Sequence, residues 1–420
     1  MDEHQAIAPE APARLEQPVP ARRNPSAARV LVVAFQGGKQ ADGGVESLTQ
    51  LLERYENARV TVLSQAETAK TRRWRQAGCT VHVWPLRHKP GERPGGGAFG
   101  GLRRLWHHLA WNLRAAWLAL DEDIEVAHVN DPHALWHVIA GLRLLGIPTL
   151  YNIRDTKPGF TPRDILKWRC AFRLTQAQIV LSQEMRTFWR RSLGVPGHGL
   201  TAIYSVVDFQ RMRPVPAPER RELRRRLDLP RTFAAGYVAS FSEKKAQLRF
   251  ITEAGPRLTR MAPGIQVFFL GDFDPVADAY AAACAQAARA LGLESRLVFK
   301  GYVDRMQEWY PALDAVIVAT QNEGLARCMI ESLACGTPVV SFDVCSAREI
   351  LAEAGCGIVV PQGDYAGLVS ALAGLADNEA ERADYGRRGA TVARVKFDAT
   401  ANVTKYLATY AALAGAGAVL

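Results

Sequence analysis

The chain has 420 residues, 48% hydrophobic and 22% charged, with a formal net charge of +10 at neutral pH. That length accommodates two ordinary domains, and the composition is that of a globular chain rather than a disordered or fibrous one. No apolar run reaches the roughly 18 residues needed to span a bilayer, the N-terminus lacks a basic-then-apolar signal pattern, and seven cysteines without a Cys-x-x-Cys predict small buried thiols in a reducing cytoplasm.

The first 27 residues are rich in Pro and Ala and lack periodicity, which predicts a disordered tail. From Val30 the chain alternates short apolar runs with helical patterns. Strands are expected at Val30–Phe35, Arg59–Ser64, Cys79–Pro85, Val126–Asn130, Thr149–Ile153 and Gln178–Ser182. A proline cluster at 214, 216 and 218 and a charged helix, ERRELRRRLDL, mark a linker. The alternation then restarts at Ala234–Ser240, Gln266–Gly271, Leu297–Lys300, Ala315–Ala319, Val339–Phe342 and Ile358–Val360. The pattern predicts two doubly wound α/β domains, with ligands beyond the carboxyl ends of the strands.

Charge is uneven. Residues 1–250 carry 38 Lys/Arg against 23 Asp/Glu, and residues 251–420 carry 14 against 19. A basic first half suggests an anionic partner: nucleic acid, an acidic membrane leaflet, or a lipid-diphosphate acceptor. The segment 102–120, LRRLWHHLAWNLRAAWLAL, reads as a helix with two faces. Leu102, Leu105, Trp106, Leu109, Leu113, Ala116, Trp117 and Leu120 form a stripe expected to face the core. Trp111 and Leu118 lie opposite, beside Arg103, Arg104, His107 and Arg114, as an outward face suited to a membrane interface.

The stretch NEGLARCMIESLACGTPVV (322–340) reads as a loop, an amphipathic helix and a buried strand. Leu325, Met329 and Leu333 recur at spacing four as its buried stripe. Glu323 falls before the helix and Glu331 inside it, eight residues on, so the carboxylates project to nearly the same side. Near a helix N-terminus, two carboxylates can hold sugar and ribose hydroxyls while the dipole faces a phosphate. Gly43 and Gly44, in the turn before the first long helix, allow close backbone approach of an anion, but they do not fit Gly-x-Gly-x-x-Gly. No Asp-x-Asp pair at a strand end and no zinc-spaced His/Cys cluster occurs, so no metal is expected.

EGLARCMIESLACGTPVV resembles the signature of retaining glycosyltransferase family four. RVLVVAFQGGKQADGGVES (29–47), LTAIYSVVD (200–208), YVASFSEKKAQ (237–247), LVFKGYV (297–303), AGCGIVVPQGD (354–364) and KFDATANVTKYLATY (396–410) resemble further family segments, in family order. The resemblance implies a GT-B fold: an acceptor-side Rossmann-like domain over 28–212, a donor-binding domain over 213–395, and a C-terminal helix, 396–420, crossing back to the first. It implies a metal-independent, retaining hexosyl transfer from a nucleotide-diphosphate sugar to a glycan or lipid-linked hydroxyl, as in surface polysaccharide synthesis. No separate cofactor and no nucleic-acid partner are expected.

By the same resemblance Glu323 orients the donor sugar, Glu331 holds the ribose, Lys245 binds phosphate, and the backbone at Tyr302 and Val303 holds the base. Gly44, Ser240, Gly324, Leu325, Ala326 and Arg327 complete the donor site. Gly43, His128 and Arg154 fall on the acceptor side. The chain departs from the family pattern where Ala239-Ser240 replaces a Gly-Arg pair, Ala246 replaces a Gly, and Arg154 stands near a frequent His. Arg154 stays protonated at neutral pH and is no general base; catalysis is expected to rest on Glu323, Lys245 and Arg154. Two other readings stay open: a nucleotide-sugar isomerase on this fold, and a catalytically silent nucleotide-sugar binder.

Overall fold

The computed structural model describes residues 28–36, 43–55, 58–86, 98–156, 159–194 and 199–417. The expected tail, 1–27, lies outside the described residues, as does the turn at 37–42. Seven strands form the first sheet: β1 (Ala28–Ala34), β2 (Ala58–Ser64), β3 (Thr80–Val83), β4 (Val126–Val129), β5 (Thr149–Ile153), β6 (Ala177–Val180) and β7 (Leu200–Ala202). Their order is β3-β2-β1-β4-β5-β6-β7, and every pairing is parallel. The six strands of the second sheet are β8 (Phe233–Val238), β9 (Ile265–Leu270), β10 (Leu297–Gly301), β11 (Ala315–Val318), β12 (Val339–Phe342) and β13 (Gly357–Val360). They run in the order β10-β9-β8-β11-β12-β13, again all parallel.

The central strands are continuous apolar runs because both faces of each sheet are covered. In β1, Leu31 and Val33 point to one core and Val30 and Val32 to the other. The first core is roofed by α3 (Ala98–Asp121), α4 (Pro132–Leu144), α5 (Pro162–Leu174) and α6 (Gln183–Leu193). The second is roofed by α1 (Gly43–Leu52), α2 (Ala69–Gln76) and the C-terminal helix Ala399–Gly417. Tyr410 of that last helix bonds the Tyr55 hydroxyl at 2.8 Å and His128 Nδ1 at 2.6 Å, and Asn152 donates to the Tyr406 hydroxyl at 3.0 Å. The C-terminal helix is thus tied back to the first sheet, as expected. The linker helix α7 (Ala217–Arg226) docks on the second sheet, where Arg220 and Arg224 pair with the buried Asp314 at 2.6 and 2.9 Å.

Two expectations are corrected. β7 lies in the segment 200–208, where no strand was expected; at three residues it is too short to show a period. The faces of α3 are reversed. Trp111 and Leu118 are fully buried, whereas Leu105, Trp106, Leu113 and Leu120 are 60–68% exposed and Leu109 and Trp117 both 46%. The cause is the neighbouring helix: Asn112 Oδ1 accepts from Gly141 N at 2.9 Å, which presses the Trp111 face against α4 and the sheet. Trp111 meets Phe35 edge-on at 5.0 Å and stacks on Trp84 at 5.6 Å. Apolar spacing marks both stripes of this helix and cannot choose between them.

Trp111→Ala is expected to cost about 3–5 kcal/mol in urea unfolding, the range for emptying a large aromatic site. Trp106→Ala should stay within about 0.5 kcal/mol of wild type. Equal losses would contradict this assignment of the faces.

Candidate active site

In both sheets the strand order reverses beside the first strand, and the carboxyl ends of the two sheets face each other across a cleft of about 1110 Å³. Such a switch point is where open α/β sheets bind ligands. The walls of this cleft are loops following β1, β5, β8, β9 and β11 together with the first turns of α1 and α2.

The signature segment supplies the second domain's wall. The helix spans Arg327–Ala334, with Met329 and Leu333 fully buried and Leu325 nearly so, as the spacing predicts. Glu323 and Glu331 are each 8% exposed, and both line the cleft. Buried carboxylates need partners, and each has one. Lys245, at the end of a short 3-10 turn after β8, donates to Glu323 Oε1. Burial would lower the Lys245 pKa, but Glu323 outweighs it and keeps the ammonium above its ordinary value. Glu331 Oε2 accepts from the Tyr310 hydroxyl at 3.0 Å, and its Oε1 pairs with Arg327 Nε at 2.7 Å. Arg327 also donates to Ser47 Oγ of α1 at 3.0 Å, so it bridges the two halves. Ser240, Tyr302, Val303, Leu325, Ala326, Gly43 and Gly44 line the same cleft.

Gly324 does not line it; its place is below. An ideal Cβ there would lie 2.2 Å from the carbonyl oxygen of Arg154, so only glycine lets the loop after β11 rest on the loop after β5. Around this contact Thr156 Oγ1 donates to the Glu323 carbonyl at 2.9 Å, Asn322 donates to the Thr156 carbonyl, and Lys244 pairs with Asp155. Ser346 Oγ bonds Ser182 Oγ at 2.6 Å and the Gly324 carbonyl at 2.5 Å. Arg154 lies in the cleft, its Nε donating to Asn130 Oδ1 at 2.7 Å. His128 does not. It is fully buried against Tyr410, and burial, with the Arg154 charge, pushes its pKa down to about 3. It is therefore neutral and structural here, away from the acceptor side where it was expected.

The sequence reading overlooked the wall opposite. Glu46 of α1 pairs with Lys70 Nζ at 2.6 Å and Arg73 Nη1 at 2.9 Å, both on α2, and all three face the cleft. The basic run Lys-Thr-Arg-Arg-Trp-Arg was visible, but only the order β3-β2-β1 brings α2 beside α1. Trp74, fully buried, fixes which side of α2 turns outward. Burial alone would raise the Glu46 carboxyl; Lys70, Arg327 and Arg73 outweigh it and hold it at about 2. Among the described residues no group of three or more His, Cys, Asp or Glu is arranged to hold a metal ion, and all seven cysteines are unpaired.

The sequence matches known families. A profile described as glycosyltransferase family 4 covers residues 43–211, and one described as glycosyl transferases group 1 covers 232–378. The chain belongs to the group 1 glycosyltransferases of family 4. It is 27% identical over 278 residues to the 2-deoxystreptamine N-acetyl-D-glucosaminyltransferase of Streptomyces fradiae, covering 61% of this chain and 64% of that one. It is 25% identical over 184 residues to the phosphatidyl-myo-inositol mannosyltransferase of Mycobacterium leprae, 43% and 47% of the two chains. The matched regions thus span from about half to just under two thirds of these relatives. Among solved structures, HepE of Anabaena in complex with UDP-glucose superposes with a TM-score of 0.75 at 20% identity, over 91% of this chain and 99% of that one. WaaG, a glycosyltransferase involved in lipopolysaccharide biosynthesis, gives 0.64 at 14% identity, over 90% and 98%. The two facing parallel sheets are the GT-B fold.

Two predictions follow from the contacts above. Gly324→Ala must part the loops, and transfer is expected to fall about 10²-fold, the scale for a misplacement near 1 Å; wild-type turnover would refute the contact's role. Glu46 has a depressed folded-state pKa, so its contribution is full above its ordinary value of 4.5 and lost as pH falls towards 2. Wild type should exceed Glu46→Gln by about 2 kcal/mol at neutral pH, with the gap closing across that acid window in urea titrations.

Proposed function

We propose that this group 1 glycosyltransferase moves a hexosyl unit from a nucleotide-diphosphate sugar to a hydroxyl acceptor with retention at the anomeric carbon. The observation that carries the reading is the buried pair Glu323 and Glu331, each matched to a cation on the floor of the interdomain cleft. A diphosphate entering there replaces the Glu323 carboxylate as partner of Lys245, and Glu323 is freed to accept from sugar hydroxyls. Glu331 keeps capacity for the ribose, since a carboxylate accepts about four hydrogen bonds and here it accepts one from Tyr310 beside its ion pair with Arg327. In this reading the backbone at Tyr302 and Val303, which line the same cleft, holds the base. UDP is the favoured nucleotide, because the superposed HepE structure binds UDP-glucose.

The reaction takes place on one face of the sugar. The acceptor oxygen bonds to the anomeric carbon as the bond from that carbon to the diphosphate oxygen breaks. The acceptor proton passes to the departing phosphate, so no protein base is needed. The role of the site is electrostatic: Lys245 and Arg154 stabilise charge growing on the leaving group. An isomerase would need acid–base groups over the sugar, and His128 is locked under the C-terminal helix. Metal independence and a cytoplasmic setting, suggested by unpaired thiols, belong to the same proposal. A glycan or lipid-linked acceptor is supported by relatives such as the phosphatidyl-myo-inositol mannosyltransferase.

A panel of nucleotide sugars, read by thermal stabilisation and nucleoside-diphosphate release, tests the reading. At least one UDP-sugar is expected to raise Tm and turn over with net retention of anomeric configuration, undiminished by EDTA. Glu323→Gln and Glu331→Gln should each lower turnover about 10²-fold. Near-normal turnover in both variants, inversion, or loss with EDTA restored by magnesium would overturn it.

A further inference from the structure

Among the described residues the exposed stripe on α3 has no partner. Leu105, Trp106, Leu109, Leu113, Trp117 and Leu120 cover roughly a third of the helix circumference over four turns. Isolated exposed leucines are ordinary; six large apolar side chains on one face mark an interaction surface. On the same side of the sheet, Leu166 of α5 is 65% exposed and Leu144 of α4 is 88% exposed.

The charge of the surrounding face selects the partner. The four helices on this side of the first sheet, α3 to α6, carry eleven Lys or Arg and three Asp or Glu. Arg114 lies 4.3 Å over the Trp117 ring at the edge of the stripe, and Lys167 lies 5.9 Å over Trp136 between α4 and α5. A second copy of the chain would set two such basic faces together and be repelled. An acidic protein could meet the charge, but a convex helix ridge of Leu and Trp suits insertion between mobile acyl chains rather than a preformed pocket.

The position also fits. His108 stacks on His137 at 4.0 Å, and Asn112 bonds Gly141, so α3 and α4 run side by side. Leu105 and Trp106 are therefore level with the first turn of α4, which follows Asn130, the partner of Arg154, at the carboxyl edge of the sheet. We propose that the Leu/Trp face of α3, with the basic α4–α6 flank, docks on an anionic lipid bilayer and holds the mouth of the cleft beside the headgroups. This surface is the opposite of the Trp111 face expected from the sequence, and it stands independently of the donor chemistry.

Co-sedimentation of the full chain with vesicles of phosphatidylcholine, alone or mixed equimolar with phosphatidylglycerol, tests it. Binding to the mixed vesicles is expected at low salt, with a blue shift of tryptophan emission and little binding to phosphatidylcholine alone. Leu109→Glu with Leu113→Glu should weaken partitioning by at least about tenfold, and the gentler Trp106→Ala with Trp117→Ala by several-fold. Both pairs should retain wild-type Tm and its shift by UDP, which separates this proposal from the reading of the catalytic site. Three outcomes would overturn it: no wild-type recruitment by mixed vesicles, recruitment unchanged by the apolar variants, or a wild-type dimer in sedimentation velocity that the Glu variants dissociate.

Discussion

The site exists because two loops from different sheets touch where no side chain intervenes. Gly324 lies against the carbonyl of Arg154, and the approach is close enough that a single Cβ would collide with backbone. From that contact the rest of the cleft floor is positioned. Thr156 and Asn322 lock the loops together, Lys244 and Asp155 bracket them, and Ser346 reaches Gly324 and Ser182 at once. Glu323, one residue before the glycine, and Arg154, across the contact, both line the cleft. Were the loops a side chain further apart, Arg154 of the first domain and Lys245 of the second would be parted across the cleft they both line.

Charge pairing is the second constraint. Removing a carboxylate and an ammonium from water is costly unless they find each other, and breaking such a pair by losing one partner costs about 3–5 kcal/mol. Among the described residues the cleft has two such buried pairs, Lys245 with Glu323 and Arg327 with Glu331, and a more exposed cluster of Glu46 with Lys70 and Arg73 whose loss costs less. Each is satisfied without ligand, so the fold does not carry an uncompensated charge, and each places a cation where an anionic ligand can compete for it. Asp314 plays the purely structural version of the same role, gathering Arg220 and Arg224 so that the linker helix is fastened to the second sheet.

Twelve of the strands were legible because parallel strands covered on both faces must be continuous apolar runs, and Gly or Pro closes them. The carboxylate pair was legible from the resemblance of its segment rather than from helical spacing, since Glu323 lies in the loop before the helix and only Glu331 lies within it. What escaped was whatever depended on which elements become neighbours. The inner and outer faces of α3 are both apolar, and only the contact with α4 decides between them. The wall of Glu46, Lys70 and Arg73 needs α2 beside α1. His128 looked like a cleft residue from its place near the end of β4, yet the C-terminal helix, some 280 residues later, brings Tyr410 onto it.

The loop after β8, where the chain departs from the family pattern it resembles, is held by contacts of its own. Ala246 sits in the left-handed region, with φ of 57°, where a residue with a Cβ is less stable than glycine by about 1–2 kcal/mol. The strain persists because neighbours dictate the path. The Tyr237 hydroxyl donates to the Lys245 carbonyl, Gln247 Nε2 donates to the Ser240 carbonyl at 3.0 Å, and Lys245 N donates to the Ser242 carbonyl at 2.9 Å. On the far side, Gly271 lets the carbonyl of Ala239 lie 2.0 Å from where a Cβ would be. The loop is therefore shaped by side-chain hydrogen bonds and one close approach, not by its own glycine. These contacts hold Lys245 beside Glu323.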